Sequence, residues 1–187
     1  MANINYYQNL WSQMTVKINE QNNSELKMVI NKILANKARY QNVCNLVNSK
    51  MPYYFVATIH YRECDLNFNQ NLSNGDPLTA RTVNEPKGRP VKGNPPFTWE
   101  ECAIDSLQLK GVDKMVDWSI PNMLKTFEDY NGDGYLKYHP TVNTPYVWSG
   151  TNLYTKGKYA SDGKFDPNLV DKQIGCAVLL KYFTTNS

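Results

Sequence analysis

The stretch from Pro52 to Asp76, PYYFVATIHYRECDLNFNQNLSNGD, constrains the fold of this chain more than any other. Tyr54, Phe55, Ala57, Thr58 and Ile59 make a run too apolar for a helix with one face in water, so a helix here is expected at the centre of the protein. Pro52 suits its first turn, where a missing N–H breaks no helical bond. The helix delivers a carboxylate, Glu63, to its C-terminal end, and a polar, turn-rich segment then carries a second, Asp76. A carboxyl on the last turn of a buried helix is partly desolvated and faces the negative end of the helix dipole, and both effects favour the protonated acid. A general acid working near neutral pH needs such an environment.

The remaining elements follow from apolar spacing. Ile4, Tyr7, Trp11, Met14 and Ile18 recur at intervals of three and four and predict an amphipathic helix over residues 3–20. Ser24 reads as the N-cap of a second helix running to about Ser49, with Leu26, Val29, Ile30, Ile33, Leu34, Ala38 and Val43 inward. Residues 69–97 are rich in Pro and Gly and read as a small β-lobe or ordered loop, with Leu78–Val83 the one plausible short strand pair. Thr98 with Glu101 forms a capping box opening a helix that stops at Gly111. Ser119 caps another, which ends at Asn131-Gly132. Residues 132–165 read as a long aromatic loop, and Asp166-Pro167 as the start of a final helix to about Phe183 with Val170, Ile174, Ala177, Val178 and Leu179 inward. The expected fold is therefore mainly α (α+β), a single domain of 187 residues in which residues 1–50 form N-terminal helices and 51–183 the core.

Composition narrows the function. A formal charge of +3 is too small an excess to argue for nucleic acid. Thirteen Tyr and four Trp beside many Asn supply ring faces and amides, as carbohydrate sites do, although a codon-biased genome produces the same mixture. Cys44, Cys64, Cys102 and Cys176 lie far apart without a CxxC pair, so they read as small buried hydrophobes rather than zinc ligands. The N-terminus has neither a charged region nor an apolar core of the signal-peptide kind, and no apolar run approaches the roughly 18 residues of a membrane span. The expectation is a monomer synthesised in the cytoplasm without membrane insertion, which reaches its target after release or delivery.

Glu63 and Asp76 are the catalytic candidates. On spacing alone, Glu63 could equally be a helix-end carboxylate paired with Arg62 or His60. A Glu facing an Asp across a polar lobe is also the equipment of glycoside hydrolysis, in which one carboxylic acid protonates the leaving oxygen and the other holds a water or steadies the oxocarbenium ion. Thr82, six residues beyond Asp76, could position that water. His60, one turn before Glu63, is within reach of the acid and counts among the substrate-contacting candidates. Tyr146 and Trp148, with Tyr154, are either saccharide platforms or the packing that holds a long loop down. Asp129-Tyr130-Asn131-Gly132-Asp133-Gly134 matches the first half of a calcium loop, but Pro140 stands where the bidentate Glu belongs, so no metal and no cofactor are expected.

The helical frame with Glu63 at a helix end resembles the lysozyme superfamily, which includes goose-type lysozymes, lytic transglycosylases and phage lysozymes. Asp76-x5-Thr82 is similar in spacing to the phage enzymes, and Tyr130-Asn131-Gly132 to a segment of the transglycosylase branch. RECDLNFNQNLSNGDPL, GRP, EDYNGDGY and PYVWSGTNLYTKGKY together resemble phage and prophage endolysin-type lysozymes over roughly residues 50–182. The resemblance implies a hydrolase acting on peptidoglycan glycan strands, with Glu63 as general acid and Asp76 as second carboxylate. Tyr130 and Asn131 would line the sugar cleft. Two departures stand out: the gap from Glu63 to Asp76 is longer than in typical phage lysozymes, and Gly132 replaces the Ala of the transglycosylase branch. Hydrolysis and anhydro-sugar formation both stay open, as does a binding module that has lost the chemistry.

Overall fold

The structure, a computed structural model, describes residues 3–161 and 163–185. Among these residues nine helices and one two-stranded antiparallel sheet make a mainly α fold with a small β part. The chain forms two compact units, Asn31–Trp118 and the pair Met1–Ile30 with Ser119–Ser187. This division differs from a boundary near residue 50. Helix α1 (Ile4–Gln13) belongs with the C-terminal third, and α2 (Glu20–Ala35) runs through the junction.

The unit of residues 31–118 is built on α3 (Lys37–Val47), α4 (Tyr53–Cys64) and α5 (Trp99–Leu109), with α3 packed on both others. Helix α4 is the expected central element: Phe55 to Tyr61 are buried without a break, and Cys64 with them. Pro52 is its N-cap rather than its first residue. Tyr40, His60, Phe68 and Trp99 form an aromatic cluster with neighbouring ring centroids 4.5–6.0 Å apart. Each such pair adds about 0.5–1.5 kcal/mol beyond the area it buries. The Thr98 capping box is present, with Thr98 Oγ1 accepting the Glu101 N–H and Glu101 Oε2 accepting the Thr98 N–H at 2.7 Å.

Three expectations need correction here. The segment from Ser24 to Ser49 is two helices, and Ser24 lies inside α2 rather than capping it. The break falls at Asn36, whose side chain donates to the Lys32 carbonyl at 2.9 Å and so competes with the helix for its own backbone. Leu34, assigned inward, is exposed. Residues 69–97 form an ordered loop with no strand pair at Leu78–Val83, since Asp76 and Thr82 side chains take backbone N–H groups that a strand partner would use.

In the other unit α1 packs on α6 (Ile120–Asn131), and α6 on α8 (Pro145–Trp148) and α9 (Cys176–Thr185). Residues 132–165 are more structured than a loop. They hold α7 (Gly134–Tyr138), α8, β1 (Lys158–Ser161) and the start of β2 (Lys164–Asp166), the two strands pairing around a bulge after Tyr159. The sheet therefore lies in the aromatic segment and not after α4. His139 stacks on Phe165 at 3.6 Å, and Tyr135 and Tyr159 close round them. The final helix begins at Cys176 and not at Asp166, whose Oδ1 instead accepts the Asn168 N–H at 2.8 Å in an Asx turn. Val170, predicted inward, is 49% exposed, whereas Ile174, Ala177, Val178 and Leu179 are buried. Gly175 is required by contact: a Cβ there would lie 2.5 Å from the Val147 carbonyl oxygen.

The four cysteines are free and buried, and burial pushes the thiols of Cys44, Cys64 and Cys102 up to about 12. No described helix is long and apolar enough to cross a membrane.

Candidate functional site

Glu63 occupies the last turn of α4 and is half-buried. The chain reverses at once behind it, because Asp65 and Leu66 both adopt left-handed conformations, with φ of 50° and 58°. For a leucine that conformation costs about 1–2 kcal/mol, and Leu66 is buried in compensation. The reversal brings the following loop back onto the helix end, where Cys64 Sγ donates to the Asn71 carbonyl at 3.4 Å and the Asn71 N–H donates to the Asp76 carbonyl at 2.8 Å. Asp76 is thus tied, through two bonds, to the residue beside Glu63.

Asp76 is 8% exposed and its carboxylate accepts four hydrogen bonds. Oδ2 accepts from the Val83 N–H (2.8 Å), the Asn84 N–H (3.0 Å) and the Asn74 amide (3.1 Å), while Oδ1 accepts from the Asn84 amide at 2.7 Å. The Asn84 backbone bond, followed by the other three donors, holds the carboxyl below its ordinary range against the opposing effect of burial. Thr82 is equally engaged: its hydroxyl donates to the Pro86 carbonyl at 2.5 Å and accepts the Arg89 N–H at 2.9 Å. A carboxylate offers about four lone-pair positions, two on each oxygen, so Oδ2 of Asp76 is full and Oδ1 keeps one position open, while Thr82 has no proton left to orient a water. Both residues organise the loop. Arg89 then fastens that loop to α5 through Asp105 Oδ2 at 2.8 Å.

His60, a substrate-contacting candidate in the sequence, presents no surface to solvent. It is fully buried, its Nδ1 shares a hydrogen bond with the Tyr40 hydroxyl at 3.0 Å, and its ring lies 4.5 Å from Trp99 and 4.7 Å from Phe68. Burial lowers it to about 4, so it is neutral at physiological pH. The unbroken buried run from Phe55 to Tyr61 takes polar His60 inward with its neighbours.

Tyr130, Asn131, Tyr146 and Trp148 belong to the other unit. Tyr130, Tyr146 and Trp148 are buried, and Trp148 is fully so. A ring without an exposed face offers nothing for a sugar to stack on, so these aromatics pack the segment down; Asn131 alone of the four is exposed. The carboxylates of the DYNGDG segment face lysines, Asp129 pairing with Lys125 and Asp133 with Lys137 at 3.9 Å. Among the described residues no three His, Cys, Asp or Glu side chains converge as a metal site would require.

One carboxyl escaped the sequence reading. Glu128 on α6 is 2% exposed, and its Oε2 accepts the Tyr7 hydroxyl at 2.9 Å. Burial raises it to about 7, with Asp129 adding to the effect and the Tyr7 bond and Lys125 opposing it. The signal was present, since Glu128 follows Leu124 by four residues on the apolar stripe of Met123, Leu124 and Phe127. Comparison of the chain with protein-family models, with characterised proteins and with solved structures finds no match.

Proposed function

We propose that this chain is a peptidoglycan hydrolase of the lysozyme type, cutting the β-1,4 bond between N-acetylmuramic acid and N-acetylglucosamine. One observation carries the reading: Glu63 stands half-buried on the last turn of a buried helix, where the polar loop folds back onto the helix end. A general acid needs that combination of partial desolvation and access. Glu63 gives its proton to the glycosidic oxygen as the bond to the anomeric carbon breaks. The carboxylate left behind then accepts a proton from the water that attacks the oxocarbenium ion. Asp76 and Thr82 serve by holding the loop beside the acid, and their engaged atoms account for their presence. Glu128 is too buried to reach a glycan and has no part in the reaction.

The four donors already on Asp76 also favour a second reading, lytic transglycosylation, in which the muramic 6-hydroxyl attacks the anomeric carbon and no carboxylate is needed to hold a water. Mass spectrometry of purified peptidoglycan treated with wild type and with Glu63→Gln tests both. Reducing ends from wild type alone establish the hydrolase, and 1,6-anhydro ends the transglycosylase. If neither protein releases muropeptides from several wall types, while both still sediment with them, the chain is a binding module and the proposal fails.

A further inference from the structure

The segment PYVWSGTNLYTKGKY, which the proposed chemistry does not use, builds one wall of a crevice of about 250 Å³ in the unit formed by the N-terminal and C-terminal segments. The opposite wall is the stretch after α1. Four bonds clamp the two: the Lys17 N–H to the Gly150 carbonyl (2.8 Å), the Asn152 N–H to the Thr15 carbonyl (3.0 Å), the Thr15 N–H to Asn152 Oδ1 (2.7 Å), and the Asn152 amide to the Gln13 carbonyl (3.1 Å). Thr151 and Tyr154 spend their hydroxyls within the wall, on Trp148, Leu153, Gly157 and Asp171. The crevice is therefore formed in advance of any ligand.

The residues that line it are of a particular kind. Among the lining residues, exposed Lys17 and Thr155 and half-buried Asn22 carry no side-chain hydrogen bond within the described residues, and Val170 offers an exposed apolar surface. Asp171, at the floor, has its charge met by Lys158 at 2.9 Å. The lining thus holds amide and hydroxyl groups for a polyol, a methyl surface for the C–H face of a ring, and one unbalanced positive charge. The volume, just under the roughly 300 Å³ at which drug-sized pockets begin, fits a single pyranose.

We infer that this crevice is a binding site for one carboxylate-bearing pyranose, with Lys17 on the carboxylate. On the reading that the substrate is a wall polymer, the residue bound is N-acetylmuramic acid, held through its lactyl ether at a position separate from Glu63. Titration of the full-length protein by amide NMR, with N-acetylmuramic acid, N-acetylglucosamine and glucuronic acid, is the test. N-acetylmuramic acid is expected to move the amides of residues 15–22 and 149–155, and Lys17→Met to weaken it about three- to fivefold, the yield of one partly exposed ion pair. Thr155→Val provides a second variant, which should weaken N-acetylmuramic acid and leave the fold unchanged. Equal binding of N-acetylglucosamine, with Lys17→Met without effect, would overturn the carboxylate contact. Tighter binding of glucuronic acid would overturn the muramic assignment, and no movement of these amides would remove the site. Wall cleavage by wild type and its loss in Glu63→Gln are read separately, so this site can fail while the hydrolase stands, and the reverse.

Discussion

Helices α4 and α6 are both 12 residues long, and each carries one glutamate within its last four positions, yet they treat those carboxyls in opposite ways. Around α4 nearly every side is covered, and Glu63 sits where the covering ends, half-buried beside a chain reversal. Helix α6 buries one stripe, and Glu128 lies within it, 2% exposed and raised to about 7. The more buried helix therefore has the more accessible acid. What desolvates a carboxyl is the position of its own side chain relative to neighbouring elements, and the mean hydropathy of its helix is a poor guide to that. A proton held at neutral pH is useless to a glycan that cannot reach it, and this separates the structural carboxyl from the candidate acid.

The largest effect should come from Glu63→Gln, which keeps size and polarity but removes the proton. Muropeptide release is expected to fall about 10³-fold, within the span of general acid catalysis, with the thermal midpoint unmoved. The same change at Glu128 should leave release intact; if it abolishes release instead, the two carboxyls have been assigned the wrong way round.

Asp76→Asn should act on stability first. Replacing the anion by an amide removes a charge from four donors and turns one N–H pair towards them. The loss is about 3 kcal/mol by urea denaturation, since a single hydrogen bond to a charged group contributes about 1.5–3 kcal/mol. Because Asp76 is held below its ordinary range, its stabilisation is present above the unfolded carboxylate pKa and is lost as pH falls through the folded value. Full stability in Asp76→Asn together with lost activity would give the residue a chemical role after all.

Glu128 predicts the opposite pH dependence. An ordinary Glu releases its proton near 4.5, whereas Glu128 holds it to about 7. Between those values the folded chain carries a proton that the unfolded chain has lost, so stability falls as pH rises across that interval and levels off above it. The cost at pH 8 is about 3 kcal/mol. Glu128→Gln, which still accepts the Tyr7 hydroxyl, should therefore stabilise the protein at pH 8 by roughly that amount and leave it nearly unchanged at pH 4. Denaturation curves at the two pH values decide it.

The smallest effect belongs to Lys125→Met. It removes the cation that lowers Glu128 and also breaks the pair with Asp129. The midpoint of the Glu128-linked transition should move upward, with about 0.3–0.5 kcal/mol lost for the exposed pair.

The fold class, the central helix, the capping box at Thr98 and the burial of all four cysteines were legible in the order of residues, because each depends on neighbours within one or two turns. The position of Glu63 on the last turn of α4 was legible in the same way, from its place at the end of an apolar run. Asn36, Asp76, Thr82 and Asp166 were read less well for a common reason. A short polar side chain can bond backbone, solvent or substrate, and only the folded loop decides among them. The aromatics Tyr130, Tyr146 and Trp148 show the same limit, since a ring is a platform or a core residue according to what covers it. Sequence alone thus determined which segments coil and which apolar stripes must be hidden, since local geometry and hydrophobic spacing act over a few residues. The tertiary structure alone decided which polar atoms remained available, because the Val83 and Asn84 donors on Asp76 and the Tyr40 and Trp99 side chains that seal His60 come from beyond the turn or helix that carries each of them.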